Sequence, residues 1–430
     1  MFISRRRRSS KQFSPLRLFS SGEKGAWYDP SDLTSLFQDS AGTTAVTAVE
    51  QPVGKMLDKS GNGNHATQAT SAARPILRAR YNLFLYSEDL TQGSVTKSGI
   101  TTTTGTLMTV NSNGNAQYVR RDFSSLVSAK YSYMVTFQAG TSSRCTFGVY
   151  SSGWLSCTAS IVSGPGTLTN NSGFLYISGL TSSPTVVLVN MTSAMTSGSL
   201  NFYPDGDSAG ANQTAGKTLN ILNADLRIGT LASITYQYIT TATSYTTSGF
   251  LPYLDFDGAT YKMATSSIDF TGTSKMSVFA GVTKKTDASY GTVVESSATS
   301  DSNNGTFAVF NGNSSIWDFR LKGTGSVGVY QVSPYVAAIT NVLTTVSDLS
   351  ASPASSQMTT RVNGSAVTAN LYSGTVGSGN FGNYPLYIGS RAGSGTYLNG
   401  RIYGLVIRGS TSNSAEIANA ETWLTARTPV

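Results

Sequence analysis

The 430-residue sequence predicts an all-β protein, and three observations carry that prediction. Short apolar runs alternate with period two and are separated by Gly, Ser, Thr and Asn clusters, the pattern of strands joined by turns. Charged residues are only 12% of the chain, whereas 22 Tyr and 18 Phe favour pleated sheets over disorder. Helical periodicity is nearly absent, with one stretch near the C-terminus as the exception. The length allows two or three domains. No apolar run approaches the roughly 18 residues of a membrane-crossing helix, so no membrane partner is expected.

Residues 1–24 read as a flexible basic docking arm. Arg5, Arg6, Arg7, Arg8, Lys11 and Arg17 stand without an acid among the first twenty residues, and without them the net charge of +8 falls to +2. Basicity is therefore a property of the tail. A nearly neutral body argues against nucleic acid as a partner, because phosphate contacts dominate such binding. Phe13, Leu16, Leu18 and Phe19 between the charges suit an anchoring peptide, in which Arg5 to Arg8 offer bidentate contacts to carboxylates or phosphates. Arg/Ser-rich, acid-free starts also fit organelle transit peptides.

From Gly25 the elements follow in order. Trp27 and Tyr28 begin a short aromatic strand, and Ser31 is a candidate cap for one helical turn over residues 32–37. Asp58 to Ala66 is a Gly/Asn-rich turn. Alternating runs follow at Tyr131–Phe137, Cys145–Tyr150, Phe174–Ile177, Thr185–Asn190, Leu219–Ile228 and Tyr236–Thr241. Beyond 250 come Ser277–Thr283, Gly291–Glu295, Gly305–Phe310, Ile316–Leu321 and Gln357–Val362. Asn363-Gly364 after the last is the signature of a type I′ hairpin turn. Leu386 to Arg408 reads as two strands around a Gly/Ser turn, with Tyr397, Leu398, Ile402, Gly404 and Val406 keeping one face. Residues 413–427 form the one clear helix, capped by Ser414, with Ile417, Ala420, Trp423 and Leu424 on one face.

Certain of these tracts also carry resemblances. Leu386-Tyr387-Ile388-Gly389 with Leu398-Asn399-Gly400-Arg401-Ile402 resembles the last strands of the concanavalin-like, or laminin-G-like, β-sandwich. The tract from Asp58 to Thr67 resembles the early part of laminin-G-like domains, and its companion element, Phe256-Asp257-Gly258, arrives some 180 residues later. That delay implies an insertion, which exposed loops with adjacent ends tolerate. The expected domains are 25–80 and 246–430 as one sandwich and 81–245 as an inserted jelly roll. "RYNLFLYSED", "NFYPDGDSAG" and the closing Tyr236–Thr241 resemble carbohydrate-binding-module-like jelly rolls of phage virion proteins. The wording "W.DPSDL.SLFQD", "QPVG..LDKSGNGNHATQ" and "RPIL" similarly resembles tailed-bacteriophage virion proteins. This resemblance implies a non-enzymatic appendage on the virion surface, a fibre or decoration, anchored to capsid, portal or tail proteins through residues 1–24. By analogy alone it implies a homotrimer. The alternatives are a receptor-binding module for host-surface glycans and, more weakly, a glycan-degrading tail spike.

Catalytic constellations are sparse. His65 is the only histidine, and no G-x-S-x-G, H-E-x-x-H, C-x-x-C or P-loop spacing is present. The six Glu do not group as a glycosidase pair would require, and Asp255 and Asp257 share a strand face. Asp205 and Asp207, flanking Gly206, are candidate ligands for a structural Ca²⁺; no other cofactor is implied. Cys145 and Cys157 are either a disulfide across a hairpin or two thiols. Trp154, Tyr203, Trp317 and Tyr397 are the candidate glycan-stacking residues, each with a core or inter-strand role as the competing reading.

Overall fold

In a computed structural model, residues 13–92, 95–114, 117–299, 302–393 and 395–430 are described. Arg5 to Arg8 lie outside them. The chain divides into two compact units, one running through Arg78 and resuming at Leu251–Val430, the other Ala79–Phe250. Among the described residues every strand pairing within the sheets is antiparallel, and the one α-helix is Ser414–Thr425.

The first unit is a sandwich of an eight-stranded and a ten-stranded sheet. Strand Asn399–Arg408 is the axis of the eight-stranded sheet. One edge pairs along Lys275–Lys284. The other is shared, since its first half pairs with Tyr253–Asp257 and its second half with Gly25–Tyr28. Ile76–Arg78 then adds to Tyr253–Asp257. Strands from both sides of the second unit in sequence therefore complete one sheet.

The segment from Leu386 to Arg408 is not a hairpin. Asn383–Ile388 lies in the ten-stranded sheet and Asn399–Arg408 in the eight-stranded one, so the loop between them crosses the sandwich. Leu386, Ile388, Leu398 and Ile402 all enter the core between the sheets, and two strands can share a core from opposite sides as readily as side by side. Gly389 permits the crossing: a Cβ there would sit 2.2 Å from a ring carbon of Phe256, which fills the space. The single face expected for residues 402–406 also fails. The register against Lys275–Lys284 shifts at Gly281/Val282, leaving Tyr403 as the extra residue. Such a bulge inverts the alternation, so Ile402, Leu405 and Ile407 face the core while Val406 faces outward.

The outer face of the eight-stranded sheet is covered by the chain's own ends. Trp27, Phe279, Val342 and Val406 meet Leu18 and Phe19 from a 3₁₀ turn, Pro15–Phe19, and Ala420, Trp423 and Leu424 from the helix. Gly281 and Gly404 are opposite one another beneath the helix. A Cβ at Gly404 would come within 3.0 Å of Leu424 and 3.2 Å of Trp423, so two glycines let the helix seat closely. Asn413, not Ser414, caps the helix. Its side chain accepts from the Ala415 and Glu416 amides while Glu416 reaches back to the Asn413 amide. Likewise Asp32, not Ser31, caps the 3₁₀ turn Leu33–Ser35.

This covering corrects the arm expected over residues 1–24 for its described part, residues 13–24; residues 1–12 lie outside the described residues. Leu18 and Phe19 are core residues, Phe13 packs beside them, and Glu23 pairs with Arg408 at 2.6 Å. Leu16 alone of the four apolar candidates is well exposed. A 3₁₀ turn with Pro at its start and two large apolar residues on one side buries more favourably against Trp27 than in water.

The second unit is a sandwich of two six-stranded sheets. One runs Cys157–Ser163, Thr185–Met191, Tyr131–Ala139, Thr218–Ile228, Leu107–Val110, Ile100–Thr102; the other runs Thr167–Asn171, Phe174–Ser178, Cys145–Tyr150, Gly198–Pro204, Tyr118–Phe123, Val95–Ser98. Phe137 packs on Phe147 and Phe202 between them. The run expected as a strand at Tyr236–Thr241 is irregular, and so is the opening stretch from Arg80. Two fully buried amides replace the ladder. Gln237 Oε1 accepts from the Tyr81 and Asn82 amides, and its Nε2 donates to the Ala79 and Thr246 carbonyls. Asn82 Oδ1 accepts from Phe84 and Leu226, and its Nδ2 donates to the Ala224 and Gln237 carbonyls. The beginning and end of this unit are thus tied together by side chains that satisfy buried backbone groups.

Candidate functional site

Strand alternation in the second unit presents one set of side chains outward from the sheet that contains Tyr203. Leu200, Phe202, Leu175, Ile177, Phe147 and Val119 are buried on its inner face. Their neighbours Tyr203, Phe174 and Tyr118, and Tyr150 at a strand end, therefore belong to the outer face. Pairing aligns these positions: Thr146 opposes both Tyr203 and Tyr176, and Gly148 opposes Asn201.

Trp154 folds back from the loop after Cys145–Tyr150 onto this face. Its ring centroid lies 5.4 Å from Tyr150, 4.5 Å from Phe174 and 6.2 Å from Tyr203, and Tyr203 lies 5.8 Å from Tyr118. Gly148 makes room for the indole. A Cβ there would meet its six-membered ring at 3.2 Å, and the Gly173 carbonyl oxygen at 2.5 Å. Tyr118, Trp154, Phe174 and Tyr203 stay half-buried, and Tyr150 is exposed, at 43%. Among the described residues, no protein hydrogen bond is made by the hydroxyls of Tyr118, Tyr150 and Tyr203 or by the Trp154 indole N–H. Burial raises the Tyr203 hydroxyl pKa, the neighbouring Tyr118 and Tyr150 raise it further, and Arg120 opposes them. The polar tips of three tyrosines and one guanidinium therefore sit around a continuous aromatic surface.

Of the four expected stacking residues, the fold brings Trp154 and Tyr203 together and separates the others. Trp317 is a core residue of the first unit, fully buried, with its Nε1 donating to Asn341 Oδ1 at 2.9 Å. Tyr397 is also in the first unit, half-buried, with the Lys262 ammonium 5.7 Å from its ring. Tyr118, Tyr150 and Phe174 were missed. The alternation of Phe174 and Tyr176 with buried Leu175 and Ile177 was a usable signal, but which strands lie side by side was not.

Asp205 and Asp207 hold turns instead of forming a shared ligand pair. Asp205 accepts from Ser142 Oγ and the Thr214 amide, and Asp207 from the Ala209 and Ala211 amides and Asn212 Nδ2. No group of three His, Cys, Asp or Glu suited to a metal ion occurs among the described residues. Cys145 and Cys157 are free, because they lie on strands of opposite sheets. Burial pushes the Cys157 thiol up to about 11 and Cys145 higher still, which keeps both protonated and unreactive.

The Asp58 to Ala66 turn is a hydrogen-bonding hub. The Asp58 carboxylate accepts from the amides of Trp27, Ser60 and Asn64, and His65 Nδ1 accepts from the Asp58 amide at 3.0 Å. Asn62 and Asn64 donate to the Gly25 carbonyl. Asp257 caps its own turn through the amides of Ala259, Thr260 and Tyr261. Asp255 is ion-paired with Arg78 and Lys285. Burial pushes its carboxyl pKa up, but Lys285, Arg78 and Arg401 outweigh that and hold it below the ordinary range. The most suggestive His and Asp residues thus carry structural bonds.

No protein-family model matches the chain, and no curated protein matches it. Among solved structures, it is similar to the CBM40 of the Ruminococcus gnavus IT-sialidase bound to alpha2,3 sialyllactose, at 12% identity over 36% of this chain and 83% of that one, with a TM-score of 0.28. It is similar to the botulinum neurotoxin serotype G binding domain at 11% identity over 42% and 44% of the two chains (TM-score 0.32). Trypanosoma rangeli sialidase aligns at 12% identity over 40% and 27%, with a TM-score of 0.29. At these scores the likeness extends to no assignable site.

Proposed function

We propose that this protein recognises glycans by binding, without catalysis, on the outer aromatic face of residues 79–250. The observation that carries this reading is the convergence of Trp154, Tyr203, Tyr118, Tyr150 and Phe174, with the Trp154 indole N–H and the hydroxyls of Tyr118, Tyr150 and Tyr203 making no hydrogen bond among the described residues. Sugars offer an apolar C–H face and a rim of hydroxyls, which matches half-buried rings whose donors remain open. Structural bonds to His65, Asp58 and Asp255 support the non-enzymatic part. A glycan array probed with the full chain tests the reading. Binding should weaken at least about tenfold in Trp154→Ala and Tyr203→Ala, as for central aromatic anchors; array signals unchanged in both variants would reject it. Reducing-sugar release from any bound polysaccharide would reject the non-enzymatic part.

A second reading places the protein on a tailed-phage virion as a trimeric appendage. It is favoured by "W.DPSDL.SLFQD" and "LDKSGNGNHATQ", and the six cations of the first twenty residues suit anchoring. Deleting residues 1–12 leaves Leu18 and Phe19 in place and should abolish incorporation into particles. Normal incorporation would remove the anchoring role, and a monomeric mass by light scattering would remove the trimer.

A further inference from the structure

The aromatic face also restricts the class of glycan. We infer that its ligand is a neutral oligosaccharide chain longer than one sugar ring, an inference that rests on the glycan reading above. Two observations carry it.

The first is length. Phe174, Tyr150, Tyr203 and Tyr118 come from four neighbouring strands of one sheet, in the order Phe174–Ser178, Cys145–Tyr150, Gly198–Pro204, Tyr118–Phe123. Four strands span about 14 Å across a sheet. Trp154 fills the middle over Gly148 and leaves no gap, since each ring in the run Tyr150, Trp154, Tyr203, Tyr118 is 5.4 to 6.2 Å from the next. A pocket for one terminal sugar needs one or two rings. A continuous strip of this extent is matched by several consecutive rings of a chain laid across the strands.

The second is charge. On the outer positions of the six strands, the charged side chains are Arg120 and Asp122. They are paired with each other, Nε to Oδ1 at 3.0 Å and Nη2 to Oδ2 at 3.3 Å. At the rim, Arg144 is held by Asp205 at 3.5 Å, and Asp207 is spent on its own turn. The Arg120 charge is thus matched by Asp122 beside it, and the face carries no net charge to favour a carboxylate or sulfate on the sugar. The rest of the surface offers tyrosine hydroxyls and an indole N–H, which suit neutral hydroxyls.

The test uses the full chain and isothermal titration. The neutral probes are gluco-, manno- and chito-oligosaccharides of increasing length, and the anionic probes are sialyllactose, oligogalacturonate and a heparin fragment. A neutral probe should bind tightest, with affinity rising at least about tenfold from the monosaccharide to the tetrasaccharide. Affinity should change less than about twofold between about 0.05 and 0.5 M salt, a range over which screening of a charged contact is strong. Trp154→Ala and Tyr118→Ala should each shorten the length at which affinity saturates, with the thermal midpoint recorded to exclude unfolding. An anionic probe that binds tightest with salt-sensitive affinity, or affinity that saturates at the monosaccharide, overturns the inference while leaving glycan recognition standing. No binding by any probe overturns both.

Discussion

Two outer sheet faces of this protein carry tryptophan and other aromatics, and their fates differ. On the eight-stranded sheet, Trp27 meets Trp423 edge-on at 5.7 Å beneath the terminal helix, and both are buried. On the Tyr203 sheet, Trp154 meets Tyr150 and Tyr203 in similar edge-on geometry, yet the group stays partly open to water. Ring chemistry and pair geometry do not separate the two. The difference is supply: the first face receives the turn Pro15–Phe19 and the helix Ser414–Thr425, whereas the second, among the described residues of its own unit, receives the loop that brings Trp154. Aromatic residues become core when the chain has an element to lay over them, and stay partly open to water when it does not.

That contrast can be attacked directly. The largest effect is expected from Trp423→Ala, which removes the centre of the covering helix and should cost the first unit about 3 to 5 kcal/mol. Chemical denaturation reads it, and a loss below about 1 kcal/mol would mean that the helix is not holding that face. Next, Asn82→Ala orphans the Phe84 and Leu226 amides and should cost the second unit about 2 to 4 kcal/mol. Hydrogen exchange should show the loss confined to residues 79–250.

Acid should then separate the units. Asp255 has a folded pKa below its unfolded value, so its stabilisation is present above about pH 4 and is lost as pH falls through the lower folded value. Asp225 behaves oppositely: burial raises its pKa, and Arg227 only partly offsets this. Its penalty at neutral pH is relieved as the carboxyl protonates. Peptides from the first unit should therefore lose exchange protection before those of residues 79–250 as pH is lowered, and the reverse order would contradict both assignments. The smallest stability effect is expected from Trp154→Ala, about 1 kcal/mol or less, because the indole remains half in water. A loss as large as that of Trp423→Ala would make the aromatic face a second core and sink its role in recognition.

Much of this was legible in the residues. Alternation located Cys145–Tyr150 to the residue, Asn363 and Gly364 take the positive φ of the expected turn, and the terminal helix buries Ala420, Trp423 and Leu424 as its spacing required. Trp154 and Tyr203 were named without their partners. Trp317 was misplaced because a core tryptophan and an exposed one occupy the same alternating pattern. Asn82 and Gln237 were invisible as staples, since a buried amide that serves backbone groups far away in sequence leaves no local period.

What the sequence determined by itself is what depends on near neighbours: strand period, turn chemistry, helix spacing and the position of the positive charge. Tertiary structure alone decided which sheet each strand joined, that Leu386 to Arg408 crosses the sandwich, and that Leu18 and Phe19 cover Trp27 instead of extending outward. It also decided that five rings from four strands and a loop form one surface. Period two specifies that a side chain has a face. Only strand order and register specify what that face meets, because the partner strands lie tens to hundreds of residues away.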